Sequence, residues 1–120
     1  MSQGTKPYDL EERTAKFGEN VIKFCNSVKR SDLIWPLVIQ LLRAGTSIGT
    51  NYMEANGAAS SKDFRNKIFI CKKESQEVKH WTRMLSISLP ERTEELRVLW
   101  KEAQELTMIF QKIVSTLRDA

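Results

Sequence analysis

The fold is indicated first by residues 40–54, which read QLLRAGTSIGTNYME, a helical pattern in which small and polar residues are mixed with apolar ones. Gly45 and Gly49 each cost about 1 kcal/mol of helix propensity relative to Ala, so a close contact with another helix should offset that cost. Four polar side chains recur at helical spacing and share one face of this helix. They are Arg43, Ser47, Asn51 and Glu54. The stretch therefore predicts a helix that packs closely against a neighbour.

The neighbour of this helix has two possible identities. The glycines can pack against another helix of the same chain or against a second subunit of a homo-oligomer. In either case we expect Arg43 to pair with Glu54 or Glu77, and Ser47 and Asn51 to satisfy polar groups nearby. A misregistered alternative would leave a buried charge unpaired. These five residues are therefore predicted to form a structural polar cluster or an interface.

Helical periodicity continues on both sides of this stretch and predicts four helices, at about 9–29, 35–56, 61–88 and 91–118. The third helix has the longest apolar face, made by Phe64, Ile68, Cys71, Ser75, Val78, Thr82 and Leu85. Asp9 and either Ser60 or Ser61 are predicted N-terminal caps, and Asn56 with Gly57 a helix end. No segment of the sequence has the alternation of a β-strand.

These helices predict an all-α fold, an antiparallel up-and-down four-helix bundle, because short connections force consecutive helices to run in opposite directions. The length of 120 residues and a hydrophobic content of 41% suit one domain with one core. We place this domain at residues 9–120, after a flexible N-terminal tail at residues 1–8.

Composition limits the class of protein and the kinds of site. No apolar run approaches the roughly 20 residues of a membrane span, and the first residues lack the apolar segment of a signal peptide, so we expect a cytoplasmic protein without a membrane partner. Cys25 and Cys71 are too few for a disulfide framework and are expected to be buried, reduced thiols. His80 has only Glu77 as a local carboxylate partner. We therefore predict no catalytic residue, metal ligand or cofactor, and no enzyme activity.

The chain resembles the four-helix bundle proteins named for the 23S rRNA intervening-sequence protein, whose reading frames lie within insertions in bacterial rRNA genes. The resemblance is carried by residues 40–51, Glu54, Ala55, residues 61–64, Lys73, Glu74, Glu77, Trp81 and Leu85. It implies an antiparallel bundle that often assembles as a homopentameric ring. It also implies a protein without established enzymatic activity. The ribosomal-protein label of the family reflects gene location more than presence in ribosomes.

Positive charge is concentrated in residues 62–83, which contain seven Lys or Arg against three Asp or Glu. The rest of the chain carries twelve of each sign, so the whole formal net charge of +4 lies in this segment. Five cations follow one stripe of the third helix. They are Lys62, Arg65, Lys72, Lys79 and Arg83, and we call them the basic stripe.

The basic stripe has two interpretations. It could follow the phosphates of RNA or another nucleic acid, with His80 and Trp81 adding stacking. Alternatively, Lys and Arg simply solvate the outer face of a bundle helix, and the protein is a protein–protein interaction scaffold that binds no nucleic acid. The sequence leaves both functions open.

Overall fold

The computed structural model describes the backbone of residues 9–119 and the side chains of residues 9–117. This part of the chain contains four α-helices and no strand: α1 (Leu10–Ser27), α2 (Trp35–Asn56), α3 (Ser61–Ser88) and α4 (Thr93–Asp119). A short 3₁₀ turn, Pro90–Arg92, connects α3 to α4. The predicted all-helical fold is thus confirmed, and the predicted bounds of α2 and α3 are reproduced. The predicted N-terminal tail lies outside the described residues.

The helix ends follow from local capping. The carboxylate of Asp9 accepts a hydrogen bond from the backbone N–H of Glu12 at 3.3 Å, and Ser60 Oγ accepts one from the N–H of Asp63 at 3.0 Å. Both satisfy donors that the first turn of a helix leaves free. Gly57 ends α2, as predicted. Two ends differ from the prediction: α1 stops at Ser27, because Val28 is extended, and α4 begins only after the 3₁₀ turn.

The four helices pack in sequential order, with α1 on α2, α2 on α3 and α3 on α4, while α1 and α4 touch less extensively. Paired positions show that α2 and α3 run antiparallel, since Lys67 of α3 meets Glu54 of α2 while Glu77, farther along α3, meets Arg43. The core is made by the apolar faces expected from periodicity. In α2 the buried positions include Val38, Leu41, Ala44 and Ile48, whereas Leu37 is only partly buried.

The two glycines of α2 have different surroundings. A Cβ built on Gly45 would lie 2.7 Å from a methyl carbon of Val21, so α1 and α2 can approach this closely only with glycine at position 45. A Cβ on Gly49 would lie 3.5 Å from the nearest atoms of Thr14, which is an ordinary van der Waals contact. Packing within one chain therefore explains Gly45 and does not explain Gly49.

Both cysteines are buried free thiols, as predicted. Cys25 Sγ lies 3.7 Å from the carbonyl oxygen of Val38, and Cys71 Sγ lies 3.6 Å from that of Ile48. Burial raises the pKa of Cys25 to about 11 and that of Cys71 to about 12, because the thiolate is desolvated. The reactive thiolate is therefore scarce at neutral pH. In the described part of the chain, no helix combines the length and the apolar character that a membrane crossing requires.

Candidate nucleic-acid interface and polar cluster

The basic stripe lies along a flank of α3, beside the buried face, and its Lys79 and Arg83 border α4. Lys62 and Arg83 are exposed, and Arg65, Lys72 and Lys79 are partly buried. None of these five cations forms an ion pair with a carboxylate among residues 9–117. The stripe therefore presents positive charge that the described side chains do not neutralise.

The acidic side chains of α3 are directed elsewhere. Glu74 and Glu77 both accept hydrogen bonds from Arg43, on the neighbouring helix α2. The carboxylates thus lie on the α2 side of α3, close to half a turn away from the middle of the stripe, since residues along an α-helix are spaced by about 100°. Charges of opposite sign are separated across the width of one helix.

Two cations of the basic stripe are positioned by aromatic rings. The ammonium group of Lys72 lies 5.0 Å from the ring centroid of Phe69, which is 48% exposed on the same helix. The ammonium group of Lys79 lies 5.3 Å from the ring centroid of Trp100 and donates a hydrogen bond to Gln104 Oε1, both on α4. Cation–π contacts of this kind hold a cation in place without neutralising it. The basic surface therefore includes part of α4, which sequence reasoning did not assign to it.

The two residues proposed for stacking occupy different environments. His80 is exposed, with its ring edge-on to Trp81 at 4.8 Å between centroids. Trp81 is partly buried against the core, and its Nε1 has no hydrogen-bond partner among the described residues. Trp81 is therefore mainly a packing residue. Phe69 is an exposed aromatic residue next to the stripe. Its position among the cations of α3 is the feature of the sequence that could have identified it as a candidate for stacking.

The predicted polar cluster is present in part. Arg43 Nη2 donates to Glu77, one of the two predicted partners, and Arg43 Nη1 lies 3.3 Å from Glu74 Oε1. The Arg43 side chain is 47% exposed, whereas that of Glu74 is only 9% exposed. Glu74 was not predicted to take part in the cluster. The ion pair therefore joins α2 to α3 through a carboxylate that is nearly closed to solvent.

The other predicted members of the cluster form no hydrogen bond with the guanidinium group of Arg43. Glu54 accepts a hydrogen bond from Lys67 at 2.7 Å, and this carboxylate raises the pKa of Lys67. The alternative pairing of Arg43 with Glu54 is wrong, because the two residues are three helical turns apart, about 16 Å along the axis of α2. Ser47 Oγ donates to the carbonyl oxygen of Arg43 at 2.6 Å, and Asn51 Nδ2 donates to that of Ser47 at 2.9 Å. Both side chains are thus engaged by their own helix.

The described side chains also bear on metal and acid–base chemistry. Residues 9–117 contain no group of three or more His, Cys, Asp or Glu side chains arranged to hold a metal ion. His80 forms no hydrogen bond with a carboxylate in this part of the chain. The absence of an enzyme activity and of a cofactor stays a prediction.

The chain is similar to known proteins. A family model described as 23S rRNA-intervening sequence protein matches residues 8–112. One similar solved structure is the crystal structure of a protein with unknown function from the S23 ribosomal protein family of Bacteroides thetaiotaomicron. The two chains share 27% sequence identity with a TM-score of 0.77, over 88% of this chain and 97% of that chain. Comparison with curated protein sequences finds no match.

Proposed function

The chain belongs to the 23S rRNA-intervening sequence protein family, and from this premise we propose a non-enzymatic, cytoplasmic, oligomeric bundle protein that binds RNA through the basic stripe. The observation that carries the proposal is the charge separation across α3. All five cations of the stripe lack an ion pair among residues 9–117, while Glu74 and Glu77 are turned toward α2. Cations that are not neutralised by an ion pair remain available to phosphates.

Binding by such a stripe has a defined physical signature. Each cation that reaches a phosphate releases condensed counterions, so log K falls with log salt by about 0.7 to 0.9 per contact. Five contacts therefore predict a steep dependence on salt and little dependence on base sequence. Structured RNA is the first nucleic acid to test, because the family description refers to rRNA.

The proposed oligomer is a ring of identical subunits, with five subunits as the resemblance implies. A groove of about 360 Å³ between α1 and α2 is lined in part by Gly18, Ile22, Gly49 and Met53. Ile22 and Met53 are exposed, and neither glycine is required by contacts within the chain. Burying this groove against a second copy would offset the cost of Gly49 in a helix. A ring would also present several basic stripes to one RNA and increase avidity.

A second candidate function is a protein–protein interaction scaffold that binds no nucleic acid. It is favoured by large apolar side chains that are exposed outside the groove just described. They include Leu33, Ile87, Val98 and Met108. Such residues are typical of surfaces that bind other proteins when they lie close together.

The experiment that separates the two functions is purification from native cells after light crosslinking, with half of the sample treated with nuclease. RNA enriched at defined sites, and lost when the cations of the stripe are reversed to Glu, would support RNA binding. A protein partner that survives nuclease, with only background RNA, would contradict it and support the scaffold.

A further inference from the structure

A second basic site lies in the groove between the C-terminal half of α3 and the first turns of α4. Its volume is about 500 Å³, within the range of pockets that hold small ligands. Six of its lining residues matter for the chemistry. They are Arg83, Ser86, Thr93, Arg97, Trp100 and Lys101.

The charged lining of this groove is entirely basic. Arg83 and Lys101 form no ion pair among residues 9–117, and no carboxylate lines the groove. Arg97 pairs with Glu94 one turn earlier, but both side chains are largely exposed, where such a pair contributes little. Three cations are therefore available to an anion, and phosphate is an anion that guanidinium groups bind through paired N–H donors.

The aromatic part of the groove is Trp100, which is 38% exposed. The ammonium group of Lys79 lies 5.3 Å from the centroid of this ring. The hydroxyl groups of Ser86 and Thr93 donate to the backbone carbonyls of Arg83 and Pro90, at 2.7 Å each. Because both hydroxyl protons are already donated to these carbonyls, the hydroxyl oxygens are left to accept hydrogen bonds from a ligand. The N–H groups on the edge of a nucleobase can donate such bonds.

We propose that this groove binds one unpaired nucleotide of RNA, with its base against Trp100 and its phosphate among Arg83, Arg97 and Lys101. The inference rests on the proposed function and extends it. Arg83 belongs both to the basic stripe and to the groove, so a strand that follows α3 arrives at the groove directly. The stripe would then supply affinity for the backbone, and the groove would select RNA with an unpaired base.

Two hairpin RNAs of equal charge test this selection. One has a fully paired stem, and the other carries a single bulged 2-aminopurine in the same stem. Base–aromatic stacking predicts about tenfold tighter binding of the bulged hairpin and quenching of the 2-aminopurine fluorescence. Both affinities are measured by anisotropy at one salt concentration.

Two substitutions at one position of the groove provide a matched pair of variants. Ser86→Trp adds a large side chain to the groove without changing any charge, and Ser86→Ala removes only the hydroxyl group. We expect Ser86→Trp to abolish the tenfold preference and the quenching while the paired hairpin binds as before. Ser86→Ala removes one acceptor for the base and leaves the groove open, so it should keep the quenching and lower the preference by only about threefold. Circular dichroism of each variant verifies that the helices are formed.

The outcomes separate failure of the inference from failure of the proposed function. If neither hairpin binds, RNA binding through the basic stripe is wrong. If both hairpins bind equally, with no quenching and no effect of Ser86→Trp, the stripe binds RNA and the groove inference is wrong. Free adenosine monophosphate should compete only at much higher concentration. Equal competition would contradict a nucleotide within RNA as the ligand.

Discussion

Arg43 of α2 and Glu74 of α3 face each other with Arg43 Nη1 3.3 Å from Glu74 Oε1, so an exposed cation is joined to a nearly buried carboxylate. Helical spacing places Glu74 and Glu77 on the side of α3 that faces α2, where Arg43 neutralises them. The cations of the basic stripe lie on the other side of α3, away from these two carboxylates.

Removing the guanidinium should destabilise the fold. Arg43→Ala leaves Glu74 desolvated without its cation, and we expect a loss of about 1–3 kcal/mol in the free energy of unfolding, measured by urea denaturation. The control is Arg97→Ala, whose partner Glu94 is exposed and whose loss should be below about 0.5 kcal/mol. Equal losses for the two variants would contradict the role assigned to Arg43.

The two glycines of α2 predict opposite effects of the same substitution. Gly45→Ala should destabilise the protein by about 1–3 kcal/mol, because its new methyl group meets the buried and rigid side chain of Val21. Gly49→Ala has room within the chain and should raise the stability of the isolated subunit by up to about 1 kcal/mol. Gly45→Ala combined with Val21→Ala removes the clash and serves as the control. Stabilisation by Gly45→Ala alone would contradict the close approach of α1 and α2.

The groove between α1 and α2 predicts how the oligomer can be broken. Ile22→Glu places a charge in the groove and should reduce the mass measured by analytical ultracentrifugation while circular dichroism stays unchanged. Ile87→Glu introduces the same change at an exposed apolar residue outside the groove and should leave the mass as it is. An unchanged mass for Ile22→Glu would show that this groove is not the subunit interface.

The buried thiols predict a loss of stability at alkaline pH. Their pKa values in the folded protein, about 11 for Cys25 and about 12 for Cys71, lie above the ordinary value of about 8.5, so the folded state holds these protons longer than the unfolded state. The stabilisation is complete below about pH 8 and is lost as pH rises through the folded values, by roughly a few kcal/mol for each thiol. Urea denaturation at several pH values should show this decline. Cys25→Ala with Cys71→Ala should flatten it, and an equally steep decline in that variant would contradict the assignment.

The helices and their ends were largely predictable because the information is local. Asp9 and Ser60 cap the first turns that follow them, and the apolar faces repeat within single helices. The end of α1 was missed by about two residues because Val28 is extended. The start of α4 was missed by about two residues because Pro90–Arg92 form a 3₁₀ turn. Such errors are common at helix ends.

The site was predictable only where one helix determines it. The basic stripe follows from spacing along α3, but the contribution of Trp100 depends on the register between α3 and α4, which no local pattern encodes. The same limit explains why Glu74 was missed as a partner of Arg43 and why Glu54 was considered. Side-chain partners across two helices depend on their relative rotation and translation.

The most direct test of RNA binding through the basic stripe compares two variants of equal net charge. One carries Lys62→Glu, Arg65→Glu and Lys72→Glu, which spares the contact of Lys79 with α4. The other carries Lys16→Glu, Lys23→Glu and Lys29→Glu, which are exposed cations outside the stripe. Binding of a paired RNA hairpin is measured from about 50 to 200 mM salt. We expect the stripe variant to bind RNA roughly a hundredfold more weakly, and the slope of log K against log salt to become shallower by about three. The control variant should keep an affinity and a slope close to those of the parent protein. Equal loss in both variants would show that net charge alone attracts RNA and would contradict the account.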